Sequence, residues 1–236
     1  MKRIGILGGS SDQATADYYR RLNQAVNERL GGWNTAELII SSMNFGFCAA
    51  RVRDGRWQEL GAYLAERARA LEGAGAEILL CVSNTLHRTA PIFTAGLAIP
   101  FLHIVDPTAR AIRAQGLSRV ALLGTKPVMA TDFLSRRYAE NFGVNTMAPT
   151  PEEQDLVDHI IFDELCRGRF TAESKAAYLE IVDRMRGRGA EGVILGCTEI
   201  PLLIAQDDRP GMPMFDTTGL HVEAAVDFAL GSEPAA

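Results

Sequence analysis

The sequence predicts an α/β protein with parallel sheets, built as two similar halves. Two observations carry that expectation. Short apolar runs of strand length alternate with longer stretches of helical periodicity along the chain. Two separate motifs also recur at nearly the same distance. Lys2-Arg3-Ile4-Gly5-Ile6-Leu7-Gly8-Gly9 is echoed by Ser118-Arg119-Val120-Ala121-Leu122-Leu123-Gly124-Thr125, an offset of 116. Gly75-Ala76-Glu77-Ile78-Leu79-Leu80-Cys81-Val82-Ser83-Asn84-Thr85 aligns with Gly189-Ala190-Glu191-Gly192-Val193-Ile194-Leu195-Gly196-Cys197-Thr198-Glu199, an offset of 114 that sets Ser83 opposite Cys197.

The elements follow in order. Arg3–Leu7 is a strand run stopped by Gly8-Gly9. Asp12–Leu30 reads as a helix, with Ala16, Tyr19, Leu22, Val26 and Leu30 at helical spacing. Glu37–Met43 is a second strand, and residues 44–56 read as a loop. Trp57–Gly73 is a helix with Leu60, Leu64, Ala68 and Leu71 on one face. Glu77–Val82 is apolar throughout after its first residue, as expected of a strand buried on both faces. Pro107–Gln115 is a helix, Arg119–Leu123 a strand and Thr131–Phe142 a helix. Pro151–Arg167 and Thr171–Gly187 are two further helices. Gly192–Leu195 and Pro213–Asp216 are strands, and Leu220–Leu230 is the final helix.

Composition narrows the function. The chain has 236 residues, 47% of them hydrophobic and 22% charged, which suits a globular core. A net charge of -5 argues against phosphate-backbone binding, so no nucleic-acid partner is expected. No apolar stretch reaches membrane-span length, and the run after Met1 is too short for a signal peptide. Four cysteines without a CxxC pair fit a reducing, cytoplasmic location rather than a disulfide framework. Gly5-Ile6-Leu7-Gly8-Gly9 is not GxGxxG and no acidic residue follows about 20 positions on at a second strand end, which argues against dinucleotide binding; GxxxxGK[ST] and GxSxG are absent, and His87, His103, His159 and His221 show no HExxH or other metal spacing.

In an open α/β sheet, ligands bind beyond the carboxyl ends of the strands. Gly8-Gly9-Ser10, Ser83-Asn84-Thr85, Gly124-Thr125 and Cys197-Thr198-Glu199 fall at such ends, each expected to precede a helix N-terminus. Ser83 and Cys197 thus become a candidate pair that takes a proton from one face of a carbon and returns one to the other. A cysteine does this as thiolate, which donors and a helix N-terminus favour. His87, four residues after Ser83, is a candidate for tuning the site. Cys81 reads as core, and Cys48 and Cys166 as structural.

These residues resemble the cofactor-independent aspartate/glutamate racemase family over about residues 2–228. The markers are Ile-Gly-Ile-Leu-Gly-Gly (4–9), Ala-Thr-Ala-Asp-Tyr-Tyr (14–19), Ser-Asn-Thr-Leu-His (83–87), Pro-Phe-Leu-His-Ile (100–104), Val-Ala-Leu-Leu-Gly-Thr (120–125), Gly-Cys-Thr-Glu-Ile (196–200) and Phe-Asp-Thr-Thr (215–218). The resemblance implies two Rossmann-like α/β domains related by pseudo-twofold symmetry, with the active site in the cleft between them. The expected division is residues 1–105 with 215–236, and 106–214. It implies chemistry without pyridoxal phosphate, metal or other cofactor, and a homodimer. Catalysis would fall to Cys197 as thiolate, with Ser83 where the family usually has a cysteine. Gly9, Ser10, Asn84, Thr85, Thr125, Thr198 and Glu199 would bind the substrate, Glu199 through the ammonium or by orienting its loop.

Departures from the pattern bear on the substrate. Ser10 replaces the usual methionine, and Cys166 stands where the family typically has a lysine facing the side-chain carboxylate. Arg51 or Arg53 would supply that positive charge. The expected partner is a small amino acid or dicarboxylate. A single-cysteine decarboxylase, a cis–trans isomerase of a dicarboxylate, or an inactive amino-acid-binding homologue remain alternatives that product analysis separates.

Overall fold

Residues 1–231 are described by a computed structural model of the chain. It divides into two compact units, Met1–His103 with the chain from His221 onward, and Ile104–Leu220. The first unit carries β1 (Ile4–Gly8), α1 (Asp12–Leu30), β2 (Leu38–Ser42), α2 (Phe45–Arg53), α3 (Trp57–Gly73), β3 (Ile78–Cys81), a 3-10 turn over Thr85–Thr89 and α4 (Ala90–Phe93). The second carries α5 (Val105–Ala114), β4 (Arg119–Gly124), α6 (Lys126–Ala130), α7 (Phe133–Phe142), β5 (Asn145–Met147), α8 (Pro151–Asp163), α9 (Ala172–Gly187), β6 (Val193–Gly196) and β7 (Met214–Asp216). The last helix, α10 (Thr217–Leu230), contains the division between Leu220 and His221.

Both sheets are parallel, ordered β2-β1-β3 and β5-β4-β6-β7. The repeat read from sequence recurs in the pairing itself. Leu7 stands opposite Cys81 in the first unit, and Leu123 opposite Leu195 in the second, which are the same positions of the two copies. Ser83 and Cys197 therefore each lie two residues beyond a matched strand position.

The side-chain period of two sorts each strand between two apolar layers. In the first unit Leu7, Leu79 and Cys81 face α2, α3 and α4, whereas Ile4, Ile6, Ile78, Leu80 and Val82 face α1 and the part of α10 from Val222. In the second, Ala121, Leu123, Val193, Leu195 and Cys197 face α8 and α9, and Val120, Leu122, Ile194 and Phe215 face α5 and α7.

The repeated Gly-Ala-Glu has a structural reason. Gly75 and Gly189 sit at φ +94° and +93°, so each chain turns tightly into its strand. The glutamate that follows caps the neighbouring strand: Glu77 accepts the Arg3 N–H at 2.8 Å, and Glu191 accepts those of Ser118 and Arg119 at 2.9 Å.

Several expectations are corrected. Residues 44–56 are mostly helix, because Asn44 caps α2 by accepting the Phe47 N–H. The α1 stripe is rotated: Ala14, Tyr18, Leu22, Ala25 and Val26 are buried, while Ala16, Tyr19 and Leu30 are exposed. Burial of Tyr18 against His221 turns it. The helix from Pro151 ends at Asp163 and gives way to a 3-10 turn, Leu165–Arg167. The short elements α4, α6 and β5 were below the length at which periodicity speaks. The compact units divide after His103 and after Leu220, within six residues of the expected boundaries.

Candidate active site

The first unit gathers its candidate residues around the ends of β1 and β3. Gly9 takes φ +83°, and its N–H is donated to the Thr15 hydroxyl at 2.7 Å. The Ser10 hydroxyl donates to the Val82 carbonyl at 2.6 Å, which ties it to the residue before Ser83. Ser11 caps α1 by accepting the Ala14 N–H. Ser83 is half-buried, and its hydroxyl accepts the Leu86 N–H at 3.4 Å. Asn84 and Thr85 are buried beside it. The His87 Nδ1 lies 2.7 Å from the Ser83 carbonyl.

Gly9 admits no side chain. A Cβ there would stand 2.2 Å from the Met43 nitrogen and 2.3 Å from its carbonyl oxygen. Both contacts are backbone and cannot swing away. Gly9→Ala is expected to cost about 3 kcal/mol or more, from positive φ and overpacking together. Chemical denaturation checks this; an unchanged midpoint would contradict the close approach.

In the second unit the ends of β4 and β6 lie side by side, with Gly124 opposite Gly196. Thr125, Cys197, Thr198 and Glu199 are all buried there. The Cys197 thiol donates to Glu199 Oε2 at 3.0 Å, and the Thr198 hydroxyl donates to the same oxygen at 2.7 Å. The Thr217 hydroxyl donates to the Leu195 carbonyl at 2.8 Å and braces the end of β6.

Burial, then the Glu199 carboxylate, pushes the Cys197 thiol well above the ordinary thiol range. The resting group is a thiol rather than a thiolate. The helix expected after Glu199 is a single 3-10 turn, Ile200–Leu202, and the one after Ser83 is also 3-10. Neither carries the aligned dipoles of an α-helix end. Only Ser10 leads into a long helix.

Sequence reasoning missed the neighbours of this thiol. Tyr178 is fully buried on α9, and its phenol is pushed up by burial and then by Cys197, Asp158, Glu199 and Cys166. Cys166 packs against the same core cluster as Cys197. Row position was the available signal, since residues 193, 195 and 197 point one way. Arg51 and Arg53 lie on α2. The Arg51 guanidinium stacks 3.2 Å from the Phe47 ring centroid and approaches Glu59 at 3.6 Å, while Arg53 is exposed. Among the described residues no group of metal-ligating side chains is found, and no helix is long and apolar enough to cross a membrane.

Matched parallel sheets with polar side chains at their strand ends place the candidate site of this α/β protein at those ends. The chain belongs to the Asp/Glu/hydantoin racemase family, whose model matches residues 4–225. It is similar to a candidate Asp/Glu racemase from Yersinia pestis, with 38% identity, TM-score 0.89, and 98% of this chain and 100% of that one covered. It is similar also to PH1733, an aspartate racemase homologue from Pyrococcus horikoshii OT3, at 34% identity, TM-score 0.84 and coverage of 98% and 100%. Picrophilus torridus aspartate racemase shares the fold at 19% identity and TM-score 0.77, over 100% of this chain and 96% of that one.

Proposed function

We propose that the chain racemises an acidic amino acid without pyridoxal phosphate, with Cys197 and Ser83 acting on opposite faces of the α-carbon. The observation that carries this reading is the buried Cys197–Glu199 pair at the end of β6, register-matched by the repeat to Ser83 at the end of β3.

The chemistry starts from the protonated thiol. Cys197 passes its proton along the existing S–H···O bond to Glu199, which leaves a thiolate. The thiolate takes the α-proton. Charge then builds on the substrate carboxylate, where N–H groups of the strand-end turns with Asn84, Thr85, Thr125 and Thr198 stabilise it. The Ser83 hydroxyl delivers its proton to the other face and regains one from water, and Glu199 releases the proton it took to the hydroxide so formed, which returns every group to its starting state. The reverse turnover begins with Ser83, a much weaker acid than a thiol, so the two directions are unequal. Arg51 and Arg53 are the groups proposed for the side-chain carboxylate.

The test is a panel of L- and D-amino acids in heavy water, read by NMR for α-deuteration and by chiral chromatography for inversion. Aspartate or glutamate is expected to invert with deuterium uptake. Ser83→Ala is expected to lose inversion by about 10²-fold or more while one enantiomer still exchanges through Cys197. Carbon dioxide release or double-bond change without inversion refutes the racemase reading. Saturable binding with no deuterium uptake refutes it in favour of a binding protein.

A further inference from the structure

We propose that His87 is a positioning residue for Ser83, fixing the turn that presents the serine and so setting how well that face handles its proton. The inference rests on the racemase reading above and adds a residue to it. The Ser83 carbonyl can only accept, so the His87 Nδ1 at 2.7 Å must carry the hydrogen. Two backbone N–H bonds at this turn are longer: Leu86 to the Ser83 hydroxyl at 3.4 Å and His87 to the Asn84 carbonyl at 3.3 Å. The imidazole therefore supplies the shorter of the two hydrogen bonds that hold Ser83 in the turn.

The ring is itself held from several sides. His87 is 2% exposed. Its ring meets His103 edge-on at 4.5 Å between centroids and lies 5.3 Å from Phe101, which packs on Phe93 at 5.1 Å. His221, on α10, lies 6.2 Å from it. The Nε2–H of His221 donates to the Leu102 carbonyl at 3.0 Å, and its Nδ1 hydrogen-bonds the Tyr18 hydroxyl at 2.9 Å. That pair ties down Leu102, and with it the adjacent His103 ring that abuts His87. A leucine would fill the same space with less desolvation. What an imidazole adds is one N–H at a fixed place. A displacement of about 1 Å in a catalytic group costs about 10²-fold in rate.

The experiment compares wild type, Ser83→Ala, His87→Leu, His87→Asn and His87→Gln with both enantiomers of aspartate and glutamate in heavy water. Inversion and single-face exchange are measured separately. His87→Leu is expected to lower kcat for inversion by about 10²-fold with little change in KM. The exchange that survives in Ser83→Ala should fall far less steeply. Asparagine offers an N–H at the δ position and is expected to recover inversion at least about tenfold over leucine, whereas glutamine, whose donor lies one atom further out, should not. If the leucine variant does not fold, the asparagine–glutamine pair decides. Equal rates in those two, or a parallel loss of inversion and exchange in His87→Leu, overturn the positioning role alone. A wild-type chain that neither exchanges nor inverts overturns the racemase reading, and this inference with it.

Discussion

Cys197→Ala is expected to abolish α-proton exchange, lowering it by at least about 10³-fold, because general acid–base groups contribute about 10²–10⁴-fold and no other thiol can take its place. Cys81 is fully buried and its thiol is pushed up by burial. Cys48 belongs to the α2–α3 core of the first unit. Cys166 shares the core cluster of Cys197 but lies on a different turn, after α8. The alanine variant keeps the fold, since it removes one sulfur at the rim of a core whose larger members remain. The check is deuterium uptake by NMR beside a far-UV spectrum. Exchange at the wild-type rate in a folded Cys197→Ala protein would refute the assignment.

Labelling of Cys197 by iodoacetamide is expected to be slow in the ligand-free protein and to accelerate on Glu199→Gln, while racemisation falls in that same variant. The thiolate is the reactive form. A thiol whose ordinary value is 9.0 has about 1% thiolate at pH 7, and burial with a neighbouring carboxylate drives that fraction lower. Removing the carboxylate charge at 3.0 Å lowers the thiol toward its ordinary range, so more thiolate is present at a fixed pH. Yet the glutamine cannot accept the thiol proton during turnover. The two readouts therefore move in opposite directions. Mass spectrometry of the labelled peptide and chiral chromatography measure them. Slower labelling in Glu199→Gln would show that Glu199 activates the resting thiol instead of holding it protonated. The same shifts carry a sign for stability. Acids held above their unfolded values, such as Cys81, Cys197 and Tyr178, stabilise the fold fully below about pH 9 and lose that contribution as pH rises through their folded values.

Much of the framework was legible in the order of residues. Strand runs are short, apolar and bounded by glycine, so β1, β3, β4 and β6 were readable to within a residue or two. The repeat aligned Leu7 with Leu123 and Cys81 with Leu195, and the two sheets pair those residues in that register. The helix over 45–53 was hidden, since Phe45-Gly46-Phe47-Cys48 carries a glycine and two aromatics and looks like a loop. Helical spacing favours Tyr19 for the buried stripe of α1, whereas the fold buries Tyr18. The choice depends on His221, 203 residues away, which no local window contains.

The sequence by itself determined the parallel α/β plan, the duplication, and the candidacy of Ser83 and Cys197, because periodicity and covalent order are local properties. Tertiary structure alone decided the state of those groups. It set the Cys197 thiol against Glu199 in a buried cluster with Tyr178 and Cys166, and it set His87 against the Ser83 carbonyl with His103 and His221 around it. The physical reason is desolvation. A proton's place on sulfur, oxygen or nitrogen depends on what excludes water and which dipoles remain, and those neighbours come from distant parts of the chain.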